Sequence, residues 1–147
     1  MPSLVIARLL GTPQILIDGG QPPADVLWRK HLALCIVLWT APERTRSRDQ
    51  LIGLLWGDKS DGAARHSLNE AVRVVRRACG DDTIESSGGY IRWSAPVDLD
   101  IDHFAELERT APEDAARLVT GPFCDGFVTG TAKADVKNVG RLMTPRL

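Results

Sequence analysis

The sequence predicts an α+β fold with a small N-terminal antiparallel sheet, a three-helix unit and a C-terminal β-hairpin, followed by a short helical segment. Three observations support this prediction. Two short aliphatic runs near the N-terminus are separated by Gly-Thr-Pro, capped helical patterns fill residues 47–80, and a Gly-Gly pair then divides two strand-like runs. A helix, a turn, a basic helix and a hairpin in this order are typical of a winged helix.

The N-terminal sheet is predicted from residues 4–10 and 14–18, which are apolar runs bounded by glycine and proline. Residues 24–27 are a candidate for a third strand. From about residue 27 to residue 39, apolar side chains recur at three- and four-residue steps and cover most of the helix circumference, which indicates a central core helix. No charged leader precedes the first apolar run, so we interpret it as a strand and expect a cytoplasmic location.

Two capped helices follow. Ser47 fits an N-cap with Gln50 completing a capping box, and this helix should end near Trp56. The next helix is predicted over residues 63–79, with Ser60 or Asp61 as its cap and a left-handed glycine at position 80. A hairpin over residues 83–93 comes after it, with its turn within residues 86–89.

The helix over residues 63–79 has one apolar face and one basic face. At 100° per residue, one side of the helix carries Ala64, Leu68, Ala71, Val72, Val75 and Cys79. The polar side chains, opposed in charge only by Glu70, are Arg65, His66, Asn69, Arg73, Arg76 and Arg77. The alternative is a solvated basic face of a surface helix.

A helix that enters the major groove of DNA needs such a face. Arginine forks fit guanine edges and phosphates, and asparagine can pair bidentately with adenine. We therefore predict Asn69 and Arg73 as base readers and Arg76 and Arg77 as phosphate contacts. Arg65 and His66, in the first turn, could do either.

The hairpin is the candidate wing. Ser86 and Ser87, next to the exposed backbone of two glycines, could contact the DNA backbone, and Arg92 could add a positive charge. The alternative is an ordinary hairpin that completes the core with Tyr90 and Trp93.

Charge is distributed unevenly between two parts of the chain. Residues 1–97 hold 12 basic and 10 acidic side chains, whereas residues 98–147 hold 6 and 9. A positive part and an acidic part indicate modules with different partners. We predict a DNA-binding domain over residues 1–97, a helical segment over residues 98–128 and a weakly structured tail over residues 129–147.

Enzymatic, metal-binding and membrane functions have no support in the sequence. Cys35, Cys79 and Cys124 are far apart, and no histidine lies at metal-ligand spacing from another ligand, so we expect neither a metal nor a cofactor. No phosphate loop with lysine, paired-carboxylate site or nucleophile with a base is found. No apolar run approaches the ~20 residues of a membrane span.

The helical runs and the hairpin resemble a known family. R-K-H-L-A-L-C-I-V-L-W, S-R-D-Q-L-I-G-L-L-W-G-D, A-R-H-S-L-N-E-A-V-R-V-V-R-R and G-G-Y are similar to the OmpR-type winged helix of SARP-type and AfsR-like bacterial transcriptional activators. The resemblance covers about residues 4–95 and implies an N-terminal sheet, three helices and a wing. The family usually has an apolar residue at the position of Arg92, so the last strand should shift its register or direct this charge outward.

A weaker resemblance continues beyond the hairpin. V-D-L-D-I-D-H-F-A-E-L and G-P-F-C-D-G-F are similar to the start of the bacterial transcriptional activation domain, which is a stack of helical hairpins. Most of that stack is absent from this sequence. The resemblance implies RNA polymerase as a second partner, through the short loop at residues 57–62, and a homodimer on DNA.

Two functions remain open from the sequence. The first is sequence-specific binding of double-stranded DNA and transcriptional regulation, most simply activation. The second is a winged helix that binds an acidic protein partner through its arginine face, which the modest positive charge of residues 1–97 allows.

Overall fold

The computed structural model describes residues 3–24 and 29–124, and it confirms the predicted α+β class. Two three-stranded sheets accompany the helices, in the strand orders β2–β1–β6 and β3–β5–β4. The elements, in chain order, are β1 (Val5–Arg8), β2 (Gln14–Ile17), α1 (Arg29–Thr40), a 3₁₀ turn (Pro42–Arg44), β3 (Thr45–Ser47), α2 (Arg48–Leu55), α3 (Asp61–Cys79), β4 (Ile84–Ser87), β5 (Tyr90–Trp93), β6 (Val97–Leu99), α4 (Asp100–Thr110) and α5 (Pro112–Leu118).

The N-terminal sheet contains a strand that the sequence did not predict. β1 pairs antiparallel with β2, so that Val5 faces Ile17, and its other edge pairs parallel with β6, so that Val5 also faces Val97. The expected boundary between residues 97 and 98 falls inside β6. The division into domains therefore stays a prediction.

α1 is the central core helix, as predicted. Every residue from His31 to Trp39 is buried. The indole of Trp39 meets that of Trp93 edge to face, with ring centroids 5.3 Å apart and planes at 78°, which joins α1 to β5. Residues 25–28, which carry part of the expected third strand and the expected start of this helix, lie outside the described residues, as does the tail at 129–147.

α2 begins at the predicted capping box. The Ser47 hydroxyl accepts a hydrogen bond from the Gln50 amide at 3.0 Å, and the Gln50 side chain accepts one from the Ser47 amide at 3.0 Å. Leu51 and Leu55 are buried, and the helix ends with Trp56 as C-cap.

β4 and β5 form the predicted hairpin. Ser87 pairs with Tyr90 across a two-residue turn, and both glycines of the turn have positive φ angles, 58° at Gly88 and 80° at Gly89. Trp93 is buried, but the Tyr90 side chain is 57% exposed, so Tyr90 does not complete the core. The register is regular, and Arg92 points outward.

α4 packs onto the N-terminal sheet, and α5 packs against α4. The Asp100 carboxylate at the start of α4 accepts hydrogen bonds from the amides of Leu9, at 2.9 and 3.0 Å, and Leu10, at 3.0 Å. After α5, the amide of Thr120 donates to the Leu10 carbonyl at 2.8 Å. Gly11, with φ of 144°, lies so close to Thr120 that an added Cβ would be 2.1 Å from the Thr120 hydroxyl. These contacts attach the acidic segment to the residues that directly follow β1.

Candidate nucleic-acid interface

α3 is held by an apolar stripe that matches the predicted one. Ser60 is the N-cap, and its hydroxyl accepts from the Ala63 amide at 3.4 Å. The buried residues include all six predicted ones, Ala64, Leu68, Ala71, Val72, Val75 and Cys79, and also Val74, which lies on another side of the helix. Gly80 follows with a positive φ of 116°, which favours glycine as predicted, but its ψ of 151° differs from that of a left-handed helical residue.

The polar face of α3 is open to solvent. Arg65, His66, Asn69, Arg73 and Arg77 are exposed, whereas Arg76 is half-buried. The stripe below them anchors the helix, so these side chains project from a fixed support. The face therefore presents donors and positive charge along most of the helix.

Arg73 is paired with Glu70 one turn earlier. Its Nη2 lies 2.5 Å from Glu70 Oε1 and its Nε lies 3.1 Å from Oε2, a fork-like contact between two side chains that are 59% and 40% exposed. The hydrogen bond from Arg73 is the main cause of a lowered pKa of Glu70, and the charges of Arg73, His66 and Arg77 add to it. The predicted base reader is thus already in contact with a carboxylate.

Arg76 differs from its neighbours because it binds the hairpin. Its Nε and Nη2 donate to the backbone carbonyl of Ile84 at 3.1 and 2.8 Å. The side chain therefore connects α3 to the start of β4. Its remaining N–H groups are the ones left for a phosphate.

Arg48 is a residue of this surface that the sequence interpretation missed. Its Nη2 donates to Asn69 Oδ1, and its backbone amide donates to the carbonyl of Gly89 at 2.9 Å. Arg48 therefore links the start of α2, the polar face of α3 and the hairpin tip. A signal existed in the sequence, since a basic residue directly follows the Ser47 cap, but only the tertiary structure brings it to Asn69.

The hairpin residues take separate positions. Ser86 and Ser87 are exposed at the end of β4. Arg92 is 56% exposed and lies 3.7 Å from Glu85 on the neighbouring strand, so its charge is partly offset.

An open cleft of about 480 Å³ brings most of these side chains together between α3 and the hairpin. Arg65, His66, Ser87 and Arg92 do not line it. The residues around it are Arg48, Asn69, Val72, Arg73, Arg76, Arg77, Asp81 and Ser86. Four arginines against one aspartate make this cleft suited to an anionic partner.

The described parts of the chain contain no reactive cysteine and no cluster of metal ligands. Burial raises the pKa of the Cys79 thiol to about 11 and that of Cys124 to about 12, and it also raises the pKa of Cys35. These thiols are protonated at neutral pH and unreactive. Within residues 3–24 and 29–124, no group of three potential metal ligands is found, and no helix is long and apolar enough to cross a membrane.

Comparison with known proteins supports the fold. No family model and no curated protein sequence matches the chain. The structure is similar to that of Mycobacterium tuberculosis EmbR in complex with a low-affinity phosphopeptide, with 20% sequence identity and a TM-score of 0.70. The alignment covers 98% of this chain and 41% of the EmbR chain, so this chain spans less than half the length of that protein. The likeness confirms the α+β winged-helix arrangement.

Proposed function

We propose that this protein binds double-stranded DNA sequence-specifically and regulates transcription as an activator, with α3 in the major groove. One observation carries the proposal. α3 buries an apolar stripe, while four side chains of its polar face, together with Arg48 and Ser86, line one positively charged cleft. The four are Asn69, Arg73, Arg76 and Arg77. The likeness to EmbR supports the fold on which this surface is placed.

The dimensions of α3 fit a DNA groove. The helix has 19 residues and is therefore about 28 Å long, and a major groove about 12 Å wide admits a helix. Asn69 and Arg73 lie midway along the exposed face, where base edges would be. Arg65 and His66 lie in the first turns, and Arg77 lies near the end, where a phosphate would pass.

The hairpin would act as the wing. Its tip is bound to α2 through the hydrogen bond between the Arg48 amide and the Gly89 carbonyl. Ser86 and Ser87 carry exposed hydroxyls beside the tip, which suit phosphate oxygens. Arg92 would contribute less, because Glu85 lies next to it.

The rest of the chain would connect DNA binding to transcription. We propose the exposed loop between α2 and α3 as a contact for RNA polymerase and residues 98–128 as a segment related to activation domains. A pair of copies on neighbouring DNA sites is part of the same proposal. Direct repeats in a selected site would indicate side-by-side binding, and a palindrome would indicate a two-fold dimer.

Selection from a random duplex pool, followed by fluorescence anisotropy across a salt series, tests the proposal. We expect one enriched site and a log–log salt slope of about −0.9 per phosphate contact. Arg73→Ala should weaken binding to the selected site. Arg109→Ala, a matched loss of an exposed arginine on α4, should bind as the wild type does. No duplex binding at low salt, with wild type and Arg73→Ala alike, would overturn the proposal.

The second candidate is a protein-interaction module for an acidic partner. The fork-like contact of Arg73 with the Glu70 carboxylate supports it, because an acidic partner would offer Arg73 the same kind of group. An acidic peptide added as competitor in the anisotropy experiment separates the two. Binding of the peptide without binding of any duplex would favour this candidate.

A further inference from the structure

A hydrogen bond joins the side chains of Arg48 and Asn69, and it affects which base this surface can accept. The two side chains come from different helices, α2 and α3, and both line the cleft beside the hairpin. Arg48 is half-buried, and Asn69 is exposed. They form one continuous polar edge, so they should meet a ligand together.

The hydrogen bond fixes the orientation of the Asn69 amide. A guanidinium group has five N–H donors and no acceptor, so only the amide oxygen can face it. Asn69 Oδ1 accepts from Arg48 Nη2, and the Asn69 NH₂ group is directed away from that contact. The pair therefore offers N–H groups from the amide and from the remaining guanidinium nitrogens.

The bases of a major groove differ in the hydrogen-bond donors and acceptors that they present to such a row of N–H groups. Guanine presents two adjacent acceptors, N7 and O6, whereas adenine presents the N7 acceptor beside the N6 donor. Bidentate pairing of Asn69 with adenine requires its Oδ1 to accept from N6, and one of the two lone pairs of that oxygen already accepts from Arg48. The adenine amino group would therefore lie beside the N–H groups of the Arg48 guanidinium. Two donors side by side match guanine and oppose the adenine amino group.

We propose that Arg48 and Asn69 act as a donor pair that reads guanine at one position of the bound duplex. This inference rests on the proposed function and refines it, because Asn69 alone would favour adenine. Arg48 is the specificity-determining residue of the pair, although it is not on α3.

The backbone around Arg48 suits this role. The Ser47 capping box fixes the start of α2, and the Arg48 amide is bound to the Gly89 carbonyl. Both contacts involve backbone or neighbouring groups, so replacing the Arg48 side chain leaves them in place. A side chain on such a support loses little freedom on binding DNA.

Base preference is the measurement that tests the pair. Random-pool selection is done with the wild type, Arg48→Ala and Asn69→Ala, and then anisotropy compares duplexes that differ only at the position in question. The wild type should select guanine there and bind it about tenfold or more tightly than adenine. Arg48→Ala removes the guanidinium donors from beside Asn69 Oδ1, so the preference should move to adenine. Asn69→Ala should reduce the guanine preference.

Arg77→Ala is the matched control. It removes an arginine from the same cleft without touching the pair, so it should weaken binding to both duplexes equally. Circular dichroism and thermal melting check the fold of each variant. If Arg48→Ala does not fold, Arg48→Met keeps an apolar stem without donors and replaces it in the comparison.

The outcomes distinguish this inference from the proposed function. A wild type that selects a site, with Arg48→Ala keeping the same base preference at every position, would overturn the guanine pair and leave DNA binding intact. A wild type that prefers adenine at this position, with that preference lost in Asn69→Ala, would overturn it as well. A wild type that selects no duplex at all would remove both.

Discussion

Glu70 places a negative charge in the middle of the arginine face. Its pKa is lowered chiefly by the hydrogen bond from Arg73, so the carboxylate remains charged at neutral pH. The contribution of this pair to folding is present above the ordinary pKa of a glutamate and is lost as the pH falls through the lowered value. At neutral pH the carboxylate would meet the phosphates of a bound duplex with like charge.

Removing that charge should strengthen DNA binding. Glu70→Gln keeps the size of the side chain and releases Arg73 from its ion pair, so we expect severalfold tighter binding to the selected duplex at low salt. Because the Glu70 side chain is 40% exposed and its ion pair is open to water, thermal stability should change little. Glu108→Gln, an exposed position on α4, serves as the control for net charge. Equal gains in the two variants would contradict a local role for Glu70.

Arg76 and Arg77 are adjacent in sequence, but replacing them should affect different properties, stability for Arg76 and DNA binding for Arg77. Arg77→Ala should weaken binding to all duplexes and reduce the steepness of the salt dependence by about one phosphate contact. Arg76→Ala removes both hydrogen bonds to the carbonyl of the buried residue Ile84, so it should cost about 1–3 kcal/mol of unfolding free energy. Urea unfolding and anisotropy on both variants measure the two effects. If Arg76→Ala had the same unfolding free energy as the wild type, the hydrogen bonds of Arg76 to Ile84 would not stabilise the fold.

The two helix caps offer a graded comparison at the scale of elements. Ser47→Ala removes the hydroxyl half of a reciprocal box with 3.0 Å bonds and should cost about 1 kcal/mol. Ser60→Ala removes a single bond of 3.4 Å and should cost less. Chemical denaturation of both variants measures the difference. A larger loss of unfolding free energy in Ser60→Ala than in Ser47→Ala would show that hydrogen-bond length does not determine how much each cap stabilises its helix.

Elements with local signals were predictable from the sequence. The Ser47 box, the apolar stripe of α3 and the glycine turn of the hairpin depend on residues a few positions apart, and the structure confirms each one. β6 was missed because three residues carry too little periodicity and because its partner is β1, at the other end of the described chain.

In the candidate site, too, the sequence predicted the features that depend on one helix and missed those that depend on the packing of separate elements. The angular pattern of α3 predicted which side chains are exposed, and the structure agrees for Arg65, Asn69 and Arg77. It could not predict that Arg76 turns toward Ile84 or that Arg48 reaches Asn69, because both contacts depend on how separate elements pack. Whether these side chains bind DNA stays a prediction.

At the scale of the whole molecule, α4 is attached to the rest of the described fold at two points of different strength. Asp100 accepts from two backbone amides in a partly buried position, whereas Asp102 forms a 2.9 Å ion pair with Arg44 at the surface. The first contact satisfies amides that would otherwise lack a partner. The second is open to water and screened by salt.

These two aspartates give a matched prediction. Asp100→Asn replaces one acceptor oxygen with a donor that faces an amide, so we expect a loss of about 1–3 kcal/mol in unfolding free energy. Asp102→Asn should cost less than about 1 kcal/mol. Urea denaturation followed by tryptophan fluorescence measures both. Equal and small losses would show that α4 contributes little to holding β1.

The parallel pairing of β1 with β6 sets an order of events during synthesis of the protein. Leu9 and its partner Asp100 are 91 positions apart, and at ~5–20 residues per second the ribosome needs about 5–20 s to make the segment between them. During that time the first hairpin has emerged without the strand that covers its edge, and its apolar residues are available to other chains. α3 is complete before the sheet of β2, β1 and β6. Of the described strands, the last to be made therefore covers an edge of the first, and until then that edge is open to pairing with other chains.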